Sequence, residues 1–473
     1  MSALRPEVRR VALIVAAAFF MQNLDTSIMN TSLPQMARSF GVLPLDLSVG
    51  ITVYMITAAA LIPLSGWLAD RLGARRVFLG AIALFTSASL LCGLAQHLWQ
   101  FALARVLQGV GGALMTPVGR TIVLRNAEKS ELLEATAFLI WPALAAPILG
   151  PALGGFITTY ITWRWNFLLN IPLGLLGMWL TLRFVRATPP EHEHAFDWHG
   201  MLLSSGALVA LLYGLEGISH AQIGWTAWQW LLPILVIAAG LLCAILSVRH
   251  FHRTPRALLE LSVVSVPTFR VMALTAGVAF RITTNATPYL LPLLFQIGFG
   301  LNALAAGSFV LVYFVGNLGI KPLTTPILKY FGFRKVLLVN GCLAGLSVAS
   351  CALFSMAMAK LLILITLLVA GATRSMQLTC VNTLAFADTA PRQRSSASTL
   401  FAMTNQASAA LGVAVGTLVV NLTLLGEGRL EAGLREIRIG LLSVGLIGVA
   451  SALACLRLPA HAGAEVSGHQ RTG

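Results

Sequence analysis

Fourteen long apolar runs, separated by short polar or glycine-bearing joints, fill the chain from one end to the other. The runs are continuous rather than alternating, so the pattern predicts helices and excludes the strands of an outer-membrane barrel. At about 20 residues per crossing, the predicted spans are 11–36, 47–69, 77–96, 97–119, 136–160, 165–185, 199–218, 227–248, 269–298, 303–326, 336–358, 361–384, 397–425 and 437–457. Basic residues divide unevenly between the joints. With the N-terminus inside, 22 Lys and Arg fall on the inner side, 6 on the outer side and 4 within spans. Positive residues accumulate on the cytoplasmic side of membrane proteins. An even number of crossings with both termini cytoplasmic is therefore expected.

The pattern also repeats. Leu72-Gly73-Ala74-Arg75-Arg76-Val77 follows the second run, and Phe331-Gly332-Phe333-Arg334-Lys335-Val336 follows the tenth. Two six-helix halves would place the echo six helices on. It lies eight on, so two helices are inserted between the halves. The expected organisation is a six-helix half over 1–190, inserted helices and linkers over 191–256, a second six-helix half over 257–460 and a cytoplasmic tail over 461–473. Repeats of this kind build secondary transporters, with the substrate near the midplane between the halves.

Composition narrows the class. The chain is 57% hydrophobic and 10% charged, against about 25% charged in soluble domains. Mean hydropathy is +0.82, which excludes a soluble, disordered or disulfide-scaffold protein. A net charge of +15 raises nucleic acid as a partner. No basic cluster is interleaved with aromatics on a soluble domain, so the charge is assigned to membrane orientation. The six cysteines form no C-x-x-C pair and are expected in the core. Glu191, His192, Glu193, His194 and His199 lack a fixed ligand spacing, so a hydrated loop and no metal are expected. The first run is too long for a cleavable signal peptide. With no P-loop, nucleophile elbow or zinc-protease pattern, the chain reads as a non-enzyme without cofactor, driven by an ion gradient.

Polar residues inside the spans are the candidate chemistry. On helix 1, Gln22, Asp25, Thr26, Met29 and Asn30 fall within about 140° of the circumference. Asp25 is the one acid placed deep in a span, and an intramembrane carboxyl suits a proton carrier. The alternative is a structural ion pair with Arg105. On helix 4, Arg105, Gln108, Gly109, Gly112 and Thr116 share a stripe. A charge at mid-membrane costs at least about 2.5–3.5 kcal/mol, so Arg105 is kept for function or for a buried partner. Helix 9 stacks Arg281, Asn285, Pro288 and Pro292, and helix 12 carries Arg374 and Gln377 one turn apart. If these arginines face a shared cavity, its charge runs from +2 to +3 as Asp25 is protonated, which opposes a cationic substrate. The bland alternative has them bonded to carbonyls behind the cavity wall.

Five segments resemble a known family. Gly66-Trp67-Leu68-Ala69-Asp70-Arg71-Leu72-Gly73-Ala74-Arg75-Arg76 resembles the helix 2–3 motif of the major facilitator superfamily, G-x-L-A-D-R-x-G-R-R. By that resemblance Gly66, Asp70, Arg71, Gly73, Arg75 and Arg76 form a conformational gate on the cytoplasmic side. The second copy has Lys329 where the acid is expected. Arg105 to Ala113 is similar to R-x-x-Q-G-x-G-x-A, which implies proton transfer or cavity lining. Pro147, Gly150, Pro151, Gly154 and Gly155 resemble the antiporter motif G-x-x-x-G-P-x-x-G-G, with Ala146 at its first glycine. Leu24 to Pro34 and Trp163 to Gly174 look like segments of the fourteen-helix drug:proton antiporters. The resemblance implies an all-α polytopic protein of the major facilitator fold, a monomer in the bacterial inner membrane. It would exchange protons, through Asp25 and Arg105, for a small amphipathic molecule. That substrate would lie among Gln22, Asp25, Met29, Asn30, Gln108, Arg281, Asn285, Arg374 and Gln377. Efflux of a specific metabolite such as an organic acid is the rival, and a non-transporting scaffold or sensor the more distant one.

Overall fold

The computed structural model describes residues 5–126, 145–146, 149–187, 196–219, 226–254, 258, 261–390, 393–427, 432–459 and 462–463. All regular elements among them are helical, as lipid requires of a chain that must bond its own backbone groups. The chain divides into two compact units.

The first unit comprises Met1–Val209 with Asn302–Gly307. It contains α1 (Pro6–Phe40), α2 (Ser48–Leu72), α3 (Ala74–Leu94), α4 (Leu98–Asn126), α5 (149–160), α6 (Asn170–Phe184) and the start of α7 (Trp198–Ser219). Proline at the first turn opens α1, where its missing N–H costs nothing. Gly41, at φ 68°, closes it by donating its N–H to the Ala37 carbonyl. Helix α4 packs on α1, α2 and α3. Glycines permit that approach: a Cβ on Gly109 would lie 2.8 Å from the Tyr54 carbonyl of α2, and one on Gly111 2.9 Å from the Ala81 carbonyl of α3.

The second unit comprises Ala210–Leu301 and Ser308–Gly473. Its helices are α8 (Ala227–Arg253), α9 (Ala276–Leu293), α10 (Ala303–Gly319, whose first turn belongs to the first unit), α11 (Lys321–Ser350), α12 (Lys360–Ala387), α13 (Arg394–Glu427) and α14 (Leu434–Ala454). Helix α9 packs on α13 and α14, and α11 on α12 and α14. Leu232, Leu241 and Leu242 leave α8 with a broad exposed apolar face, suited to lipid.

Eleven helices among the described residues are long and apolar enough to cross a membrane, three fewer than the fourteen spans predicted. The difference has three sources. The span over 136–160 is described only from 145, with gaps. Helix α9 carries Arg281, Asn285 and the threonines at 283, 284 and 287 within 18 residues. Helix α10 is short, at 17 residues.

The repeated motif makes the same turn twice. Gly73 (φ 86°) joins α2 to α3, and Gly332 (φ 73°) breaks α11 in the middle. After each, an arginine reaches a late helix of its own unit: Arg75 Nη2 donates to the Leu182 carbonyl at 2.5 Å, and Arg334 Nη2 to the Leu456 carbonyl at 3.2 Å. Leu182 lies in the last turn of α6 and Leu456 just past α14. Carbonyls at a helix C-terminus lack intrahelical partners and sit at the negative end of the dipole. A positive φ excludes most side chains, so Gly73→Ala should cost about 1–3 kcal/mol. Gly80→Ala, mid-helix with open space around it, should be neutral or stabilising by up to about 1 kcal/mol. Denaturation midpoints in detergent separate the two, and equal midpoints would refute the strained turn.

Candidate functional site

Asp25 is fully enclosed in the first unit, and its carboxylate is fully used. Oδ2 accepts from Arg105 Nη1 at 2.6 Å, while Oδ1 accepts from Gln108 Nε2 at 2.9 Å and Asn170 Nδ2 at 2.8 Å. Arg105 and Gln108 stand three residues apart on α4, so both reach the same point on α1. Arg105 also donates from Nη1 to Gln108 Oε1 at 2.5 Å and from Nε to the Gly50 carbonyl at 3.0 Å. Its guanidinium lies 4.4 Å over the Tyr54 ring. The Ser89 hydroxyl accepts from Gln108 at 2.7 Å and Asn170 at 3.2 Å, and donates to the Phe85 carbonyl at 2.9 Å. Five helices, α1, α2, α3, α4 and α6, thus meet at one acid. The two amides each place their N–H pair on Asp25 and Ser89, which exhausts their donors.

A second polar cluster adjoins the first through Tyr54. Its hydroxyl accepts from Gln22 Nε2 at 2.9 Å, while Thr116 donates to Gln22 Oε1 at 2.8 Å. Tyr54 therefore meets Arg105 on its face and Gln22 at its edge. Of the helix 1 residues singled out in the sequence, Gln22 and Asp25 enter these clusters. Met29 is buried, with its methyl beside Gly50, and Asn30 is half-buried. Tyr54, Ser89 and Asn170 were not among the sequence candidates. Asn170 carried a signal, being an amide in an apolar run inside the segment that resembles the antiporters. Ser89 and Tyr54 carried none.

In the second unit Arg281 is buried, 1% exposed. Its guanidinium lies 4.4 Å over the Phe401 ring of α13, and Nε, Nη1 and Nη2 make no hydrogen bond among the described residues. Asn285 is spent on its own helix, donating to the Arg281 carbonyl at 2.7 Å. Arg374 is half-buried over Tyr313 and Phe314, at 5.5 and 5.4 Å. Gln377, a turn away, points elsewhere: it donates to the Leu337 carbonyl and accepts from Asn340, both at 3.0 Å, bracing α12 to α11. The charge expected from one acid and three arginines thus divides. Asp25 compensates Arg105, and Arg281 and Arg374 belong to the other unit.

Among the gate candidates, Gly66 has open space around it, Asp70 is half-buried and Arg76 exposed. Arg71 lies 5.0 Å over Trp67, and Arg75 caps α6. In the antiporter motif, Gly150 receives Ser27 of α1. A Cβ on Gly154 would sit 2.7 Å from Thr31 Oγ1, and Gly155 abuts Ala303. The Pro151 carbonyl meets Gly307. Pro147 lies outside the described residues, as do Glu191 to His194. Among the described residues no group of three or more His, Cys, Asp or Glu could hold a metal.

The family profile described as Major Facilitator Superfamily matches residues 15–413. MdtD of Salmonella paratyphi B, provisionally named a multidrug resistance protein, is 36% identical over 411 residues, covering 86% of each chain. Among solved structures, a POT family transporter in complex with 5-aminolevulinic acid matches with a TM-score of 0.68 at 14% identity, covering 94% of this chain and 95% of that one. The human organic anion transporter MFSD10 matches with a TM-score of 0.61 at 13% identity, covering 95% and 100%. At such identities these two share the fold.

The network predicts how the first unit fails. Arg105→Ala strips a donor from Asp25, Gln108 and the Gly50 carbonyl together, and breaking a buried pair costs about 3–5 kcal/mol. Arg105→Lys should fall between the variant and the parent, because a point charge replaces a fork. Thermal midpoints in detergent check the order. An Arg105→Ala protein as stable as the parent would show that the pair does not hold the helices.

Proposed function

The chain belongs to the major facilitator superfamily, and we propose that it is a proton-coupled exporter of small amphipathic compounds working by alternating access. Membership makes it a multi-pass membrane transporter of a small molecule, not an enzyme. The observation that carries the coupling is the enclosed Asp25–Arg105 pair. An ionised Asp25 has three donors around it and compensates Arg105. A proton arriving on Oδ2 takes the position Arg105 Nη1 now fills, so that contact gives way and the tie between α1 and α4 loosens. Proton and substrate then alternate, the proton releasing the helices and the substrate binding the rearranged transporter. Gln22, Thr116 and Tyr54 form the polar path beside the acid. Asp70, Arg71 and Arg76 act at the cytoplasmic side as the gate, and the proton gradient supplies the energy.

The proposed architecture has fourteen helices, six-helix halves over 1–190 and 257–460 with two helices between them. The protein is a monomer in the bacterial inner membrane with both termini cytoplasmic. The repeated motif, its paired positive-φ glycines and the 22-to-6 distribution of basic residues support this layout. The antiporter motif and the provisional naming of MdtD support export.

In proteoliposomes carrying a proton gradient, a panel of amphipathic compounds should dissipate the gradient through the parent. Asp25→Asn should abolish that movement in protein recovered folded from the membrane, the amide keeping the shape and one acceptor but leaving Arg105 without its counter-charge. Substrate-driven proton flux equal to the parent's would place the coupling elsewhere. For topology, reporter fusions after Arg186 and Gln393 should report cytoplasm, and one after Gly426 the outside. An external signal after Gln393 would break the fourteen-helix count.

A further inference from the structure

Arg281 stands in contrast to Arg105. Both are guanidiniums enclosed within apolar helices, and Arg keeps its proton under any plausible condition. Arg105 is met by a carboxylate, an amide and a backbone carbonyl. Arg281 has three nitrogens without a hydrogen-bond partner among the described residues, and an aromatic face beside it. Buried charges are paired as a rule. A ring face compensates only a fraction of what an anion would.

The helices around Arg281 hold no acid in reserve. Helices α9, α10 and α12 contain no Asp or Glu at all. In α13 and α14 the acids sit at the ends: Glu427 pairs with Arg435 at 2.9 Å, and Glu436 accepts from the Gly433 N–H at 2.8 Å. Asp388, just past α12, accepts from Thr268 at 2.8 Å. The repeat sharpens the contrast. The two motif copies are 259 residues apart, from Leu72 to Phe331, and the same step carries Gln22 to Arg281 and Tyr54 to Tyr313. Gln22 is satisfied by Tyr54 and Thr116. Its counterpart is a permanent cation, and the helices packed on it supply no uncommitted acid among the described residues. Arg374, over Tyr313 and Phe314, adds a second cation with an aromatic platform, and its Nε also has no hydrogen-bond partner among the described residues.

We propose that Arg281 binds the acidic group of the exported molecule, so that the substrate class is the lipophilic organic anion. The planar fork of a guanidinium matches a carboxylate, sulfonate or phosphate with two parallel hydrogen bonds. Half-buried Phe401 offers the adjoining apolar surface for the rest of the molecule. A cation arriving there meets fixed positive charge in a low dielectric. This assignment rests on the exporter reading above for the act of transport, while the binding preference stands apart from it.

The test uses the full chain in phosphatidylcholine proteoliposomes with three probes: a dansyl-labelled undecanoic acid, its primary amide and its trimethylammonium counterpart. The acid should bind the parent at least about tenfold more tightly than the ammonium compound, a difference of about 1.4 kcal/mol. Arg281→Gln should bring the two within about twofold, and Arg281→Lys should recover part of the preference. Arg281→Gln and Arg281→Met should keep the parent's thermal midpoint or exceed it, because each removes an unpaired buried charge. Equal binding of acid and cation by the parent would overturn the assignment, as would a preference that survives in Arg281→Gln. A midpoint that falls in Arg281→Met would make Arg281 a structural brace and overturn it too. Phosphatidylglycerol added to the vesicles should leave acid binding unchanged. If it displaces the acid, Arg281 holds a lipid headgroup and the substrate assignment falls. If the parent moves protons with none of the three probes, it is the exporter reading that fails, and the binding ratios still decide the role of Arg281.

Discussion

A carboxylate enclosed among helices must have every acceptor answered, and in the first unit the answer comes from three side chains on two other helices. That requirement explains much of the local sequence. Arg105 and Gln108 need a three-residue spacing to share one face of α4. Gly109, Gly111 and Gly112 must be small so that α4 comes close enough to α2 and α3 for those side chains to reach across. Ser89 accepts the second N–H of both amides, Gln108 and Asn170, which would otherwise be left unfinished. Removing any one part leaves a charge or a dipole unanswered where no water is at hand to replace it.

The same demand makes the pair suitable for switching. Neutralising Asp25 withdraws the reason for Arg105 to stay, while the other bonds of Arg105, to Gly50 and to the face of Tyr54, remain as a resting place. Tyr54 connects this event to Gln22 and Thr116 through its hydroxyl. Under the proposed coupling, a change of one proton would thereby be felt by side chains on α1, α2 and α4 together.

Much of this was legible in the chain before any coordinates. The continuous apolar runs identify the helices, and a single deep acid with an arginine on another span already names the ion pair as one of two readings. The glycines of the repeated motif announce a turn, and both adopt positive φ. Less visible were neutral polar groups such as Ser89 and Tyr54, which are common in membrane helices and reveal their partners only when helix rotation is fixed. Gln377 shows the converse. Its spacing from Arg374 puts both on one side of α12, yet its amide is consumed by α11. Helix α9 fell short as an apolar span because its polar residues, Arg281 and Asn285 among them, lower its hydropathy.

The capping arginines of the repeat bear on how genetic data from such a protein are to be interpreted. Arg75 and Arg334 each fasten the turn after a positive-φ glycine to a late helix of the same unit. Residues at these places in the motif therefore have an assembly duty alongside whatever they contribute to opening and closing. Loss-of-function alleles at Arg75 and Arg334 would report missing protein as readily as a jammed transport cycle, and only abundance measured beside activity tells the two phenotypes apart. Alleles at Arg76, exposed and one residue along, carry no such ambiguity.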